Sequence, residues 1–337
     1  MSCSGCHSAC ASVLTDGKDK MTKFDVSAVG FAVLDILGRP VTRIPEGGRA
    51  DFIEEIRMTV AGTAAATGMD CAILGLKTQM VTTVGEDDMG DFLIAKMQRY
   101  GMDTGLVRRD GSVQISATIL PVRPNGERPA LHVPGTATTF TVAEADLDAA
   151  LDARIIHLGG TGLLKSFDGE PSVAFLKRAK ELGRTTTFDL IQANPDTVTL
   201  VKPLLPYIDY FVPSIDEAAE IAGLENPAEV ARYFKAQGVR NVLLTLGGDG
   251  VYVDPEQGEP FTLPAHDIDV VDTTGCGDSF TAGIIVGLTK GWDLRQCARF
   301  ASAVAAKVAM GLGSDGKLTS FDDTLEAMNS LPLKGQN

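Results

Sequence analysis

The stretch Val271–Gly283, VDTTGCGDSFTAG, gathers Asp272, Asp278, Cys276 and three glycines within a few residues. Three chemistries fit such a set: a thiol activated by its neighbours, a tight connection with no chemistry, or an anion site beside a working carboxylate. The flanks decide among them. Ile268–Val271 reads as a strand and Ser279–Leu288 as an apolar helix, so the glycines fall at a helix N-terminus. Unpaired N–H groups and the helix dipole make that end attractive to anions. Gly275 and Gly277 allow close backbone approach, and Cys276 between them is small. Asp278 then lies in the first turn. Capping alone accounts for an Asp there, but not for the permissive residues before it. A carboxylate beside a phosphate-sized nest fits phosphoryl transfer, in which amides hold the transferring group and the acid orients and deprotonates a hydroxyl. The helix end is expected to depress the Asp278 pKa. A loose transition state tolerates the weak base that results.

Two other motifs compete for attention. Gly311–Lys317, GLGSDGK, satisfies G-x-G-x-x-G and nearly a P-loop, but Leu318 stands where Ser or Thr belongs. Both motifs need a strand before them, whereas ASAVAAKVAM before Gly311 reads as a helix, so a Gly-rich helix end is expected. Cys3-x-x-Cys6-His7, with Cys10 nearby, has the pattern of haem attachment. It lies in a polar leader, residues 1–23, expected to be a disordered extension. The hydrolase signatures HExxH and GxSxG do not occur.

The elements that must position these residues alternate. FDVSAVG, TQMVTTVG, ARIIHLGG, TTTFDL, DYFVPS and NVLLTLGG are short apolar strands. Between them, Thr63–Gly75, Asp87–Gly101, PSVAFLKRAKELG, IDEAAEIAG and LRQCARFASAVAAKVAM read as helices. Continuously apolar strands alternating with helices mean a parallel sheet covered on both faces. VQISATILPV and RPALHV flank RPNGE as a hairpin. One α/β domain is expected over 24–330, with β excursions forming a lid at about 39–60 and 112–134 and a tail at 331–337. The formal net charge of −14 and the lack of a Lys/Arg cluster argue against a nucleic-acid partner. No run of eighteen apolar residues and no export signal are visible, so the expected location is the cytoplasm, with Cys71, Cys276 and Cys297 as reduced thiols.

DTTGCGDSFTAG closely resembles the C-terminal signature of the ribokinase-like PfkB family of carbohydrate kinases, and the similarity runs from about Phe24 to Asn329. The resemblance implies a three-layer α/β/α fold with a mostly parallel sheet and a small β-sheet lid, and ATP-dependent phosphorylation of a primary hydroxyl on a small sugar or sugar derivative. It assigns Gly275, Cys276 and Gly277 to an anion hole and Asp278 to the base. Asp35, Gly62 and Ala66 take substrate-binding positions; Thr245, Gly247, Gly250 and Ser302 take ATP positions. Glu217 and Ser214 of PSIDE would hold Mg²⁺ through water, and Asp272, Thr274, Ala309, Gly313 and Ser314 would form a monovalent-cation site for K⁺. The resemblance also implies a homodimer through the lid. Three departures alter the sugar code. Ala66 stands where the family has Asn, Ser214 replaces an Asn, and FDLIQ lacks the basic residue many members carry. A nucleoside kinase of the same fold is therefore a second reading, with Phe31 and Phe52 as candidates for a shelf under a base. A dinucleotide-dependent oxidoreductase using GLGSDG is a third.

Overall fold

The computed structural model describes residues 22–191 and 195–335; Cys3, Cys6, His7 and Cys10 lie outside the described residues. In chain order the strands and helices are β1 (Phe24–Gly30), β2 (Val33–Arg39), β3 (Glu55–Ala61), α1 (Thr63–Ile73), β4 (Thr78–Gly85), α2 (Asp88–Arg99), β5 (Asp103–Asp110), β6 (Ala117–Pro121), β7 (Leu131–Val133), α3 (Leu147–Ala150), β8 (Ala153–Gly159), α4 (Glu170–Glu181) and β9 (Thr185–Asp189). They continue with α5 (Pro195–Val201), β10 (Tyr210–Phe211), α6 (Ile215–Ala222), α7 (Pro227–Ala236), β11 (Asn241–Thr245), β12 (Val251–Asp254), β13 (Phe261–Leu263), α8 (Cys276–Thr289), α9 (Leu294–Ala309) and α10 (Phe321–Ser330).

One sheet runs β13-β12-β11-β10-β9-β8-β1-β4-β5, parallel except for β12, which pairs antiparallel with both β11 and β13. Its strands read as apolar runs because both faces are covered. In β1, Val26 and Ala28 pack toward α1 and α8, while Val29 packs into the cluster under α4, α6 and α7. The helix α8 is apolar all round because it is sandwiched: Ser279–Gly287 are buried between the sheet, α1 and α9.

The second sheet, β3-β2-β6-β7, is entered from the carboxyl end of β1, three residues before β2 begins. Its register settles what each face carries. Asp35 is flanked by Thr59 and Thr118, whereas Ile36 is flanked by Met58 and Ile119. Period-two alternation thus puts Asp35, Thr59, Thr118 and His132 on one face and Ile56, Met58, Ile119, Leu131 and Val133 on the other. This sheet recruits Val33–Arg39, ahead of the 39–60 excursion.

Three readings need correction. Ile268–Val271 is not a strand: the amides of Val271 and Asp272 donate to Ala309 O at the end of α9 (2.8 and 3.3 Å), which takes them out of any ladder. Residues 331–334, expected only as a tail, are tied to the domain. Asp267 N donates to Pro332 O (2.8 Å) and Lys334 N to Ala265 O (2.9 Å), docking the segment beside the sheet. Phe52, at 99% exposure, is neither core nor shelf, because it sits in the open connection between β2 and β3.

Candidate active site

Adjacent parallel strands deliver residues to one crevice at their carboxyl ends, where ligands of open α/β sheets bind. Asp189 ends β9, Ser214 follows β10 and Thr245 ends β11. The start of α8 faces them: a methyl group built on Gly277 would approach Asp189 Oδ2 at 3.9 Å. A cleft opens from there, lined by Thr245, Gly247, Gly250 and Ser302, the four positions expected for a nucleotide, and by Thr273, Cys276, Gly277 and Ala309.

The glycine loop is held from behind. Gly275 caps α8 with φ 76°, a left-handed conformation that favours glycine. Asp272, wholly buried, binds both segments of the loop region: Oδ1 accepts from Thr274 N (3.0 Å) and Thr274 Oγ1 (2.8 Å), and Oδ2 accepts from Gly313 N (2.8 Å). Ser314 bonds to Val60 O and Thr59 Oγ1, and Asp315 pairs with Arg57 (2.7 Å) and Lys96 (3.3 Å). The GLGSDG segment therefore packs behind the loop. It follows the helix α9 rather than a strand, so it has no phosphate-binding turn and the oxidoreductase reading fails. As a cation site the set is partly spent, since Asp272 is engaged through both oxygens and Ala309 O already accepts two amides.

Asp278 lies in the first turn of α8 and keeps part of its surface open. Its pKa is pushed up to about 7, first by burial and then by the charges of Glu217 and Asp35, with Arg128 opposing. The depression expected from the helix end is overruled because desolvation and like charges outweigh a half-charge dipole. Asp35 is also pushed to about 7, chiefly by burial, with Thr118 and Arg128 opposing. It stands within β2. Asp189 is buried and raised for the same reasons, desolvation first and then Asp278 and Glu217. The crevice thus concentrates acids whose burial and mutual repulsion raise their pKa.

Glu217 is not an ordinary exposed helix acid. It forms a capping box with Ser214, which donates from N (3.0 Å) and Oγ (2.6 Å), both to Oε2. Oε1 is left for another donor such as water. Among the described residues no three His, Cys, Asp or Glu group to hold a metal directly. An ion held through water on Glu217 and Ser214 fits this set; a direct protein cage does not. Cys276 is no reactive thiol: burial, then the charge of Asp272, pushes it up to about 12. Its amide donates a long bond (3.3 Å) to Thr273 O. Ala66 is fully buried and offers only a methyl group, while the φ of 94° at Gly62 brings it against Phe31 O.

Sequence reasoning missed four residues. Arg128, in the hairpin between β6 and β7, donates Nε to Thr273 Oγ1 (3.4 Å). Asp189 sat unremarked inside FDLIQ, although an acid at a strand's carboxyl end was a usable signal. His266 lines the cleft from the segment after β13, and Lys334 joins it through docking of the C-terminal segment, which no local pattern encodes.

The fold is that of the ribokinase-like enzymes. The structure superposes on Arabidopsis thaliana ribokinase complexed with ribose and ATP with a TM-score of 0.77 at 23% identity, covering 90% of this chain and 98% of that one. The family model for pfkB family carbohydrate kinases matches residues 25–318, and the chain belongs to that family, which makes it an ATP-dependent phosphotransferase. Among curated relatives, the aminoimidazole riboside kinase of Salmonella typhimurium is 27% identical, covering 80% of this chain and 87% of its own. The 5-dehydro-2-deoxygluconokinase of Shouchella clausii is 26% identical, covering 85% and 90%.

Proposed function

We propose that the protein phosphorylates a primary hydroxyl of a small sugar or sugar derivative, with Asp278 as general base and the Gly275, Cys276 and Gly277 amides receiving the charge of the transferring phosphoryl group. One observation carries this reading: Asp278 lies in the first turn of α8, next to Gly277 of the nucleotide-type cleft and within the electrostatic reach of Asp35 on the small sheet. First-turn amides have no carbonyl one turn back, and the long bond from Cys276 N is weak enough to exchange. Thr245, Gly247, Gly250 and Ser302 would hold ATP. Asp35 would orient the acceptor hydroxyls from the lid, and Gly62 would let the acceptor approach the backbone. Asp278, with a pKa near 7, is matched to accepting the hydroxyl proton at neutral pH. Glu217 and Ser214 would hold Mg²⁺ through water, and the ion would supply charge neutralisation on the phosphates.

The relatives frame the acceptor. Ala66 and the missing base in FDLIQ change the sugar code, so ribose and fructose are not favoured over sugar acids. A nucleoside is the second reading. It is favoured by the relative that acts on aminoimidazole riboside and by Phe31 and His132 meeting edge-on (6.0 Å) beside Thr118 on the Asp35 face. ADP release over ribose, fructose, 5-dehydro-2-deoxygluconate, 2-dehydro-3-deoxygluconate and aminoimidazole riboside separates the readings. Silence with every acceptor would refute both.

Two further parts of the proposal have their own tests. Ile56, Met58, Ile119, Leu131 and Val133 leave the outer lid face apolar and exposed, a surface suited to a second copy of this chain. A Leu131→Asp variant that sediments like the wild type would remove the dimer. For the monovalent cation, carbonyls of Thr274, Gly313 and Ser314 remain candidates, and equal rates in K⁺ and Na⁺ would remove it.

A further inference from the structure

Among the described residues Arg128 has no carboxylate partner within ion-pair distance. It is exposed on the loop between β6 and β7, and among the described residues its one hydrogen bond is the contact from Nε to Thr273 Oγ1 (3.4 Å). Such a side chain on a hairpin would ordinarily extend into water. Here it bends inward across the interface between the small sheet and the glycine loop. Thr273 is two residues before the cap of α8 and lines the same cleft as Cys276 and Gly277. The guanidinium thus reaches the loop ahead of α8, close enough to act electrostatically on both Asp35 and Asp278. Its field lowers the pKa of Asp35, Asp278 and Cys276 together, against the burial that dominates each.

This placement answers a problem of charge. Asp35, Asp189, Glu217 and Asp278 converge where a polyanion must be received, and the chain as a whole carries −14. First-turn amides supply only partial charge. A full positive charge is needed where the nucleotide's last phosphate would meet the acceptor, and Arg128 contacts Thr273 at the edge of that cleft. A guanidinium presents a planar fork that matches two phosphoryl oxygens at once.

We propose that Arg128 is a catalytic residue, carried by the hairpin onto the transferring phosphoryl group. This rests on the kinase reading above. In the step, the bond between the terminal phosphorus and its bridging oxygen breaks, and that oxygen leaves with the electron pair on ADP. The acceptor oxygen forms the new bond to phosphorus, and its proton passes to the Asp278 carboxylate. Arg128 exchanges no proton; its Nη groups hydrogen-bond the non-bridging oxygens as their charge redistributes. Because the hairpin also belongs to the sheet that bears Asp35, closing over the acceptor and supplying the charge become one motion.

The test uses the full-length enzyme with the acceptor that gives the fastest ADP release in the panel above. Arg128→Ala lowers kcat by about 10²–10³, the range for losing one oriented donor to a developing oxyanion, with KM for ATP and acceptor within about threefold. Added guanidinium chloride at sub-denaturing concentration raises the rate of Arg128→Ala and not that of the wild type. Arg128→Lys stays well below wild type, because a point charge lacks the fork. The exposed position keeps the melting temperature unchanged, so misfolding does not enter. A kcat within about threefold of wild type overturns the proposal. So does an unchanged kcat with a raised acceptor KM, which would make Arg128 a reader of the acceptor. A wild-type enzyme that releases no ADP with any acceptor overturns the parent reading, and is distinguished from these by the wild-type control.

Discussion

Gly275→Ala probes whether the loop before α8 is held to a fixed shape by what lies behind it. The residue sits at φ 76°, where an L side chain costs roughly 1–2 kcal/mol. The added Cβ would lie 2.6 Å from Ser314 Cα, 2.7 Å from Ser314 Cβ and 3.0 Å from Ser314 O. Ser314 cannot yield easily. Its hydroxyl is bonded to Val60 O and Thr59, its neighbour Gly313 donates to Asp272 (2.8 Å), and Asp315 is paired with Arg57 (2.7 Å). Overpacking of this kind adds about 1–3 kcal/mol, for a total near 2–5 kcal/mol of lost stability. Relief comes only by moving the loop into the cleft, and a displacement of about 1 Å in a positioning element lowers kcat by about 10²-fold. Thermal melting and steady-state ADP release measure both. Gly277→Ala is the steric control, since its Cβ meets nothing nearer than Asp189 Oδ2 at 3.9 Å, and its melting temperature is expected to hold or rise. A Gly275→Ala enzyme with wild-type melting and wild-type kcat would refute the picture of a backed, rigid loop.

The remaining predictions concern protons and the thiol. With Asp278 and Asp35 both near 7, kcat/KM falls on an acid limb with an apparent pKa near 7, well above that of an ordinary aspartate, and the pair titrates together; a profile flat from pH 5 to 8 contradicts this. The same raised pKa means that the folded state binds the Asp278 proton more tightly than the unfolded chain does. This group's penalty is therefore full above about pH 7 and gone below 3.8, and Asp278→Asn should melt higher than wild type at pH 8 but not at pH 3.8. Cys276→Ala retains turnover within about threefold, and the wild-type thiol resists alkylation at pH 8; inactivation by either would return the thiol to the chemistry.

Legibility followed locality. The apolar runs that became β1, β4, β8, β9 and β11 were readable because both faces of a parallel strand are buried. The glycines that start α8 were readable because helix ends have a local chemistry. Ile268–Val271 misled because Ile268 and Val270 line the cleft and the Val271 amide turns to Ala309 O instead of joining the sheet. The rise of Asp278 was invisible because its causes, Glu217 and Asp35, are distant in sequence and meet it only in the fold. Arg128 was hidden for the same reason: NGER reads as a hairpin tip, and only the docking of the small sheet aims its arginine at Thr273.

The most direct test of the account is the turnover of Asp278→Asn beside its ATP affinity, measured by acceptor-dependent ADP release and by calorimetry. The asparagine keeps the shape of the first turn of α8 and removes the proton acceptor. The account predicts that kcat falls by about 10²–10⁴ while the ATP dissociation constant stays within about threefold. An Asp278→Asn enzyme that turns over at near the wild-type rate would contradict it.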